Sequence, residues 1–490
     1  MDIHVHSGKE KMMSIPNLHF IMAVWGESYT DVFIDVVLPS QLSDNNLPAL
    51  QHRQAYTYKI YTTADDAKTI QASPAFQRLA EVMPAEIHVI HPEQNAHIKT
   101  ASVRHLMGSL HKRAIQEAAR DNAFLAFLAP DAILSDGSFA AIEKRMLEGM
   151  EMVLISGIRV TKETALPAIR ARYRRPDGTI HMDAADLTDC AFEFPHRYTQ
   201  VLTWGAERFC SQWPSQTFWF VPPAGILAHC WHLHPILVKA STETDSFLGT
   251  IDGDYIERAG TQLERIHVIQ DSDEACLIEI SRADHEKTLL DTSAAFSMEK
   301  FLSWGQHSTN AFHRTFVDRP ILFKGRAYTE AAMTEIGKDA AQVIEMLRAA
   351  LEDYRIDIPL LRSFGEVAGA PAIYLYGSGE CGRSVLAHAH RYGLTNIRGF
   401  IDSHTAGEVE GLPVHRLDDY LKGVRRPDDA IIITSMYLKD IARTLLQHGI
   451  TEFLNGQEIY LEILLSNLEK SGEKPVDFVI VPWSTVAADS

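Results

Sequence analysis

A chain of 490 residues is too long for one hydrophobic core, so about three domains, or two with a linker, are expected. Its apolar content of 46% and charged content of 22% are ordinary for a globular protein. A net charge of −18 argues against general nucleic-acid binding, which needs Lys and Arg to displace counterions.

The five cysteines are scattered and form no CxxC, so they give neither a disulfide framework nor a zinc knuckle. The first residues, MDIHVHSGKEKMMS, lack an apolar signal core. The longest apolar region, Phe218 to Val238, holds His229, His232, His234 and several prolines, unlike a lipid-spanning helix. A soluble, cytoplasmic protein with no transmembrane segment is expected, and peripheral attachment to the inner membrane fits as well.

Leu18 to Gly26 reads as a buried strand ending in glycine. Glu27 to Leu42 follows with helical spacing of Val32, Phe33, Val36 and Val37. Tyr56 to Thr63 is β-rich and runs into Ala64-Asp65-Asp66, a helix start. Ser73 to Met83 reads as a helix, Glu86 to His91 as a short strand, and Ser102 to Arg120 as an amphipathic helix. Ala123 to Ala129 is apolar or small throughout and stops at Pro130, as in a strand buried on both faces. Gly137 to Met150 is helical, and Met152 to Val160 reads as one more strand. This alternation predicts right-handed βαβ units and a mostly parallel sheet over about the first 160 residues.

Residues 161 to 290 are less regular. Arg170 to Pro176 is the densest basic cluster, suited to phosphate or to a solvated loop. Residues 291–368 look helical and charged, and are expected to form a connector. Ala372 to Tyr376 opens a second α/β unit, with further strands at Ile397 to Ile401 and Ala430 to Ser435. In the tail from 471, Phe478 to Trp483 suits an edge strand.

Asp131 follows the central strand, where open α/β sheets bind ligands outside the carboxyl ends. Its role is open between a ligand carboxylate and a turn residue. The turn after the first strand, Trp25-Gly26-Glu27-Ser28-Tyr29, carries one glycine and suits a base or ribose wall better than a diphosphate cradle. Gly377, Gly379 and Gly382 follow a strand, open a helix and precede Asp402 at the end of the next strand. That context suits a diphosphate at a helix N-terminus and a ribose on the carboxylate, or a docking module that binds nothing. No Tyr-xxx-Lys pair accompanies it, so redox catalysis is unsupported. His232 and His234 would share one face of a strand and, with Asp131, offer metal ligands. Asp271-Ser272-Asp273 and Asp252-Gly253-Asp254 have the DxD form that can share a hard cation.

Taken in order, FIMAVWGESY, YKIYTTADD, FLAFLAPDAILSDGSF and LAHCWHLHP resemble the elements of a GT-A glycosyltransferase across residues 15–290. The resemblance implies a nucleotide-sugar donor lying against Trp25, Gly26, Tyr29, Thr62 and Asp65, with Asp131 by its diphosphate. It implies Mn2+ or Mg2+ shared by Asp131 and one of His229, His232 or His234, or else moved onto Asp271 and Asp273, with Asp252, Asp254 and Asp271 as candidate catalytic bases. The chain departs from the family in having Ala129-Pro130-Asp131 where a DxD is expected. Residues 369–470, through YLYGSGECGR and GFIDSH, resemble the Rossmann-like nucleotide-sugar-binding domain of bacterial surface-polysaccharide enzymes. There Gly377, Gly379, Gly382 and Asp402 would contact a nucleotide or nucleotide-sugar. Together the two resemblances imply a transferase in cell-surface glycan biosynthesis, acting on a glycan or protein acceptor, with homo-oligomerisation left open. The alternatives are a non-catalytic nucleotide-sugar-binding scaffold and an NAD-dependent sugar-modifying enzyme.

Overall fold

Apolar runs bounded by Gly, Pro and acidic turns form the strands of an α/β fold. The computed structural model describes residues 15–90, 103–211, 213–241, 251–253, 255–285, 296–352, 358–435, 437–456, 459 and 480–482. Its contacts divide into two units. The first draws on residues 1–296, 310–344 and 478–490, and the second on 297–309 and 345–477. The expected connector is therefore no separate element: the helix Glu330–Glu352 begins in the first unit and ends in the second.

In the first unit the strands are β1 (Asn17–Ala23), β2 (Tyr56–Thr62), β3 (Ala85–Ile90), β4 (Ala123–Leu128), β5 (Ala132–Leu134), β6 (Met152–Ile155) and β7 (Ile158–Thr161). They continue as β8 (Gln216–Val221), β9 (Gly225–Cys230), β10 (His234–Lys239), β11 (Ile266–Val268), β12 (Leu277–Ser281) and β13 (Ile321–Lys324). The main sheet has the order β11-β6-β10-β4-β1-β2-β3, with the strand Ile480–Pro482 added beside β3. β1 runs parallel to β2 and β4 on either side. β10 and Ile480–Pro482 are the antiparallel members. Two small sheets, β5-β12-β7 and β13-β9-β8, complete the unit.

The stretch expected as one strand from Met152 to Val160 is two. β6 joins the main sheet and β7 a small one, with the break at Ser156-Gly157. A Cβ on Gly157 would come within 2.2 Å of the Leu277 side chain, so any larger residue at the change of sheets would have to displace that leucine. The helix after β1 runs through Glu27–Val32, a wide π turn at Phe33–Val37, and Leu38–Gln41. Pro39 accounts for the widened turn, since it offers no N–H and its ring crowds the carbonyl one turn back. Of the basic cluster, Arg170 and Arg172 lie on the helix Lys162–Tyr173. Arg170 and Arg174 pair with Asp35, Arg172 with Glu193 and Arg175 with Asp44.

Phe20 fills the core between Tyr58, stacked at 6.0 Å, and Phe139, edge-on at 5.7 Å. Beside them Glu143 is buried, and its carboxylate accepts from Tyr56 Oη (2.8 Å), Gln51 N (2.9 Å) and His52 N (3.2 Å). Burial, and then this carboxylate, raise the Tyr56 phenol well above its ordinary range.

The second unit holds β14 (Ile373–Tyr376), β15 (Ile397–Asp402), β16 (Gly407–Val409), β17 (Leu412–Arg416), β18 (Ala430–Ile433) and β19 (Leu454–Asn455). Their order is β16-β17-β15-β14-β18-β19, with β14 parallel to both neighbours. Among the described residues no helix is long and apolar enough to cross a membrane.

Glu143→Ala strips three donors of their acceptor in a buried place. It is expected to cost about 3 kcal/mol in urea unfolding, well beyond the loss for an exposed helix residue. A cost under about 0.5 kcal/mol would show that solvent reaches those donors.

Candidate functional site

The order β3-β2-β1-β4 reverses direction at β1, so the loops after β1 and β4 part and leave a crevice at their carboxyl ends. Gly26 closes β1 with φ +85°, a left-handed conformation that favours glycine, and caps the helix from Glu27. Asp66 ties this turn to the end of β2. Its carboxylate accepts from Gly26 N (2.9 Å), Thr30 Oγ1 (2.9 Å) and Thr63 Oγ1 (2.6 Å). Asp65 points to solvent and only approaches Lys68, at 3.8 Å. Trp25 is half-buried and Tyr29 exposed, while Thr62 is buried with no hydrogen-bond partner for its hydroxyl among the described residues.

Asp131 stands across the crevice. Its carbonyl accepts from Ile280 N (2.7 Å), which docks the turn after β4 onto β12. The carboxyl is pushed up to about 6, by burial first and then by Glu279, against the pull of Arg159 and Lys162. Arg159 and Glu279 face each other across β7 and β12, with Nε 2.9 Å from the carboxylate. The Arg159 guanidinium also lies 4.5 Å from the centre of the Tyr198 ring. Lys162 Nζ donates to the Ser28 carbonyl (3.0 Å) and hydroxyl (2.7 Å), in the turn after β1.

Beside Asp131 opens a cavity of about 450 Å3. Ala129, Arg159, Glu279, Tyr198, Trp213, Gln216, Asp252, His232 and His234 are among its lining residues. His232 and His234 thus share one space, although only His234 lies in a strand. His234 Nε2 donates to the Phe127 carbonyl at 2.8 Å. The His232 ring packs 4.4 Å from that of His313, whose pKa is pushed down to about 3 by burial and then by His232. His229 is buried and donates from Nδ1 to the Val317 carbonyl (2.7 Å), a structural role. Asp252 lines the cavity, and Asp254 lies outside the described residues.

The second DxD is engaged elsewhere. Lys324 Nζ donates to Asp271 (2.7 Å) and Asp273 (2.6 Å), and Asp271 also accepts from Asp273 N (2.9 Å). Asp271 is bridged to Leu322, and neither aspartate lines the cavity. The metal ligands implied by the resemblance are therefore not brought to one point, and among the described residues no His, Cys, Asp and Glu group of three or more is arranged to hold a metal. Asp271 and Asp273, held by Lys324, do not fit a resident divalent cation.

The second unit has its own crevice, where β14 lies between β15 and β18. Its cavity, of about 1040 Å3, is lined by Gly377, Ser378, Gly379, Asp402, Thr434 and Tyr437, together with Glu380 and Asp440. No Lys or Arg lines it among the described residues. Gly377 has φ +120°, and a Cβ there would meet the Thr434 carbonyl oxygen at 2.6 Å. A Cβ on Gly382 would lie 1.9 Å from the Gly377 carbonyl oxygen, so the helix packs on the turn only through glycine. Asp402 accepts from Ser378 Oγ (2.8 Å), His404 N (3.0 Å) and Thr405 N (3.0 Å). Burial pushes its carboxyl up, but these donors outweigh it and hold it below the usual range.

Arg159, Lys162, Glu279, Tyr198, Trp213 and Asp66 were not singled out by sequence. The one available signal was Asp66, three residues after Thr63 in a capping arrangement.

No family model matches the chain, and no curated protein matches it in sequence. Among solved structures, the crystal structure of S. aureus TarS is similar over 29% of this chain and 22% of that one, at 11% identity and a TM-score of 0.18. A likeness at that score carries no argument about fold or function.

Gly382→Ala is expected to destabilise the second unit by about 1–3 kcal/mol, because the obstructing atom is backbone. Gly379→Ala, whose Cβ meets nothing within 4 Å, should cost under about 1 kcal/mol. Equal denaturant midpoints for the two would contradict this packing.

An acid with a raised native pKa stabilises the fold fully below its unfolded value, and that contribution is lost as pH rises through the native one. For Asp131 the window runs from 3.8 to about 6. Asp131→Asn, which cannot ionise, should gain on the parent between about pH 4 and pH 7, by up to about 3 kcal/mol. Urea midpoints measured across that range would show it, and a flat difference would place the titration elsewhere.

Proposed function

We propose that the first unit is a glycosyltransferase, taking a sugar from a nucleotide-sugar donor to a glycan or protein acceptor. One observation carries the reading. The half-buried carboxylate of Asp131 stands at the reversal point, and its neighbours Ala129 and Ala132 line a cavity of mixed polar and aromatic lining. The nucleoside would lie against Trp25, Tyr29 and the end of β2 at Thr62. Its diphosphate would pass the turn after β4, where the Asp131 carboxylate would accept from a donor-sugar hydroxyl, and the acceptor would enter the cavity.

The reaction needs an acceptor hydroxyl oriented towards the anomeric carbon and a group to take its proton. Glu279 and Asp252 line the cavity, and Arg159 fixes the Glu279 carboxylate in place. Asp271, held by Lys324, is displaced from this role. The second unit would hold a nucleotide or nucleotide-sugar on the turn from Gly377, with Asp402 ordering that turn through Ser378. Glu380 and Asp440 at the same cavity favour the nucleoside end over the diphosphate.

The alternative of a non-catalytic nucleotide-sugar-binding scaffold is favoured by Ala129, which stands where a first carboxylate would be expected.

Release of nucleoside diphosphate from UDP- and GDP-sugars by the full chain, with and without oligosaccharide acceptors, tests the assignment. Asp131→Asn is expected to lower turnover by about 100-fold or more. Full activity in that variant would refute the role of Asp131. Binding of donors without release under every condition would favour the scaffold.

A further inference from the structure

We propose that the cavity beside Asp131 is a carbohydrate site, which seats one pyranose ring of a glycan acceptor on the Trp213 indole and its hydroxyls on Gln41 and Gln216. The inference rests on the transferase reading above and chooses between the two acceptor classes left open there.

At about 450 Å3 the cavity lies within the range of small-ligand sites, about 300–1,000 Å3. Arg159 is the one Lys or Arg among its described lining residues, and Glu279 and Asp252 line the same space. Glu279 faces that arginine, with 2.9 Å between Oε2 and Nε. No excess of positive charge is left for a phosphate, so an uncharged ligand suits this lining.

The cavity's polar groups include two side-chain amides. Gln41 ends the short helix Leu38–Gln41 and is 2% exposed. Its Oε1 accepts from the buried Tyr58 phenol at 2.8 Å, which fixes the plane of the amide. Its Nε2 carries two N–H groups with no partner among the described residues, and the residue lines the cavity. Donors on so buried a side chain are open only to what enters the cavity. Gln216, the first residue of β8, lines the same space. Its Nε2 reaches Ser156 Oγ only at 3.5 Å, and its Oε1 has no partner among the described residues. One amide thus offers donors and the other an acceptor. A ligand rich in hydroxyls uses both, because each hydroxyl donates and accepts.

Trp213 supplies the surface for a ring. It is 40% exposed and lines the cavity. Ser215 N donates to its carbonyl at 3.0 Å, and Ser215 Oγ bonds Tyr198 Oη, so the segment that carries the indole is anchored. The C–H groups on one face of a pyranose form an apolar patch that covers an exposed aromatic ring, while the hydroxyls project from the rim. A Ser or Thr side chain of a protein acceptor has a hydroxyl but no such face.

The test is saturation-transfer NMR of the full chain with the methyl glycosides of glucose, galactose, mannose, rhamnose and N-acetylglucosamine, and with Ser- and Thr-containing peptides. Nucleoside diphosphate release from UDP- and GDP-sugars is measured beside it with the same compounds. At least one glycoside is expected to bind, with saturation strongest at the ring protons of one face, and the peptides are not. Trp213→Ala should weaken that binding by about tenfold or more, and Trp213→Phe should keep most of it. Gln41→Met combined with Tyr58→Phe removes both partners of the buried bond, so the fold is kept while the cavity loses its amide. This pair should weaken binding by about threefold or more. Thermal melts without ligand confirm that the variants are folded. No glycoside bound, or glycoside binding indifferent to both changes, overturns the inference, and donor turnover with a peptide acceptor would then leave the transferase reading standing. Glycoside binding that depends on Trp213, with no turnover of any donor, sustains the sugar site and overturns the transferase reading. Neither binding nor turnover overturns both.

Discussion

The strand β1 is bound on both sides by parallel neighbours, and much of the first unit depends on that constraint. Parallel neighbours force every connection to cross back over a face of the sheet, so the loops after β1, β2 and β4 all emerge at one end. That end cannot be filled by sheet hydrogen bonds. It is closed by side chains instead: Asp66 draws the first two loops together, and the Ile280 amide takes the third onto β12. The chemistry proposed for the unit occupies the gap that remains.

β12 links the site to the rest of the unit. It receives β5 on one side and β7 on the other, and carries Glu279 into the cavity wall. The Arg159–Glu279 pair is thus placed by backbone register rather than by a flexible loop. A charged pair fixed in this way loses little entropy when a ligand arrives, the condition for a preorganised site. Burial pushes the imidazoles of His111 and His313 down to about 3, so both are neutral near pH 7.

The apolar runs made β1 to β4 and their helices readable, because long segments buried on one or both faces have unmistakable periods. The glycine spacing at 377, 379 and 382 was readable for a related reason: steric demands on a turn are local. What sequence hid was distant partnership. Lys324 lies more than fifty residues from Asp271, so a DxD that looked free to bind a cation is already paired. The choice between Asp65 and Asp66 depended on helix phase, which two adjacent acids do not reveal. β5 is three residues long, too short to show a period, and Arg159 and Glu279 meet only because β7 and β12 align. The division of Met152 to Val160 falls at a glycine packed on Leu277, a contact 120 residues away that the apolar run does not reveal.

The chain passes between the two units four times, after residues 296, 309, 344 and 477. Its last described strand, Ile480–Pro482, belongs to the sheet that Asn17 begins. The second unit is therefore stitched into the first rather than appended to it. A protease that nicks any single crossing leaves the halves covalently joined. A chain shortened before residue 480 forfeits the edge partner of β3, baring a row of unpaired amides and carbonyls on which another chain can add.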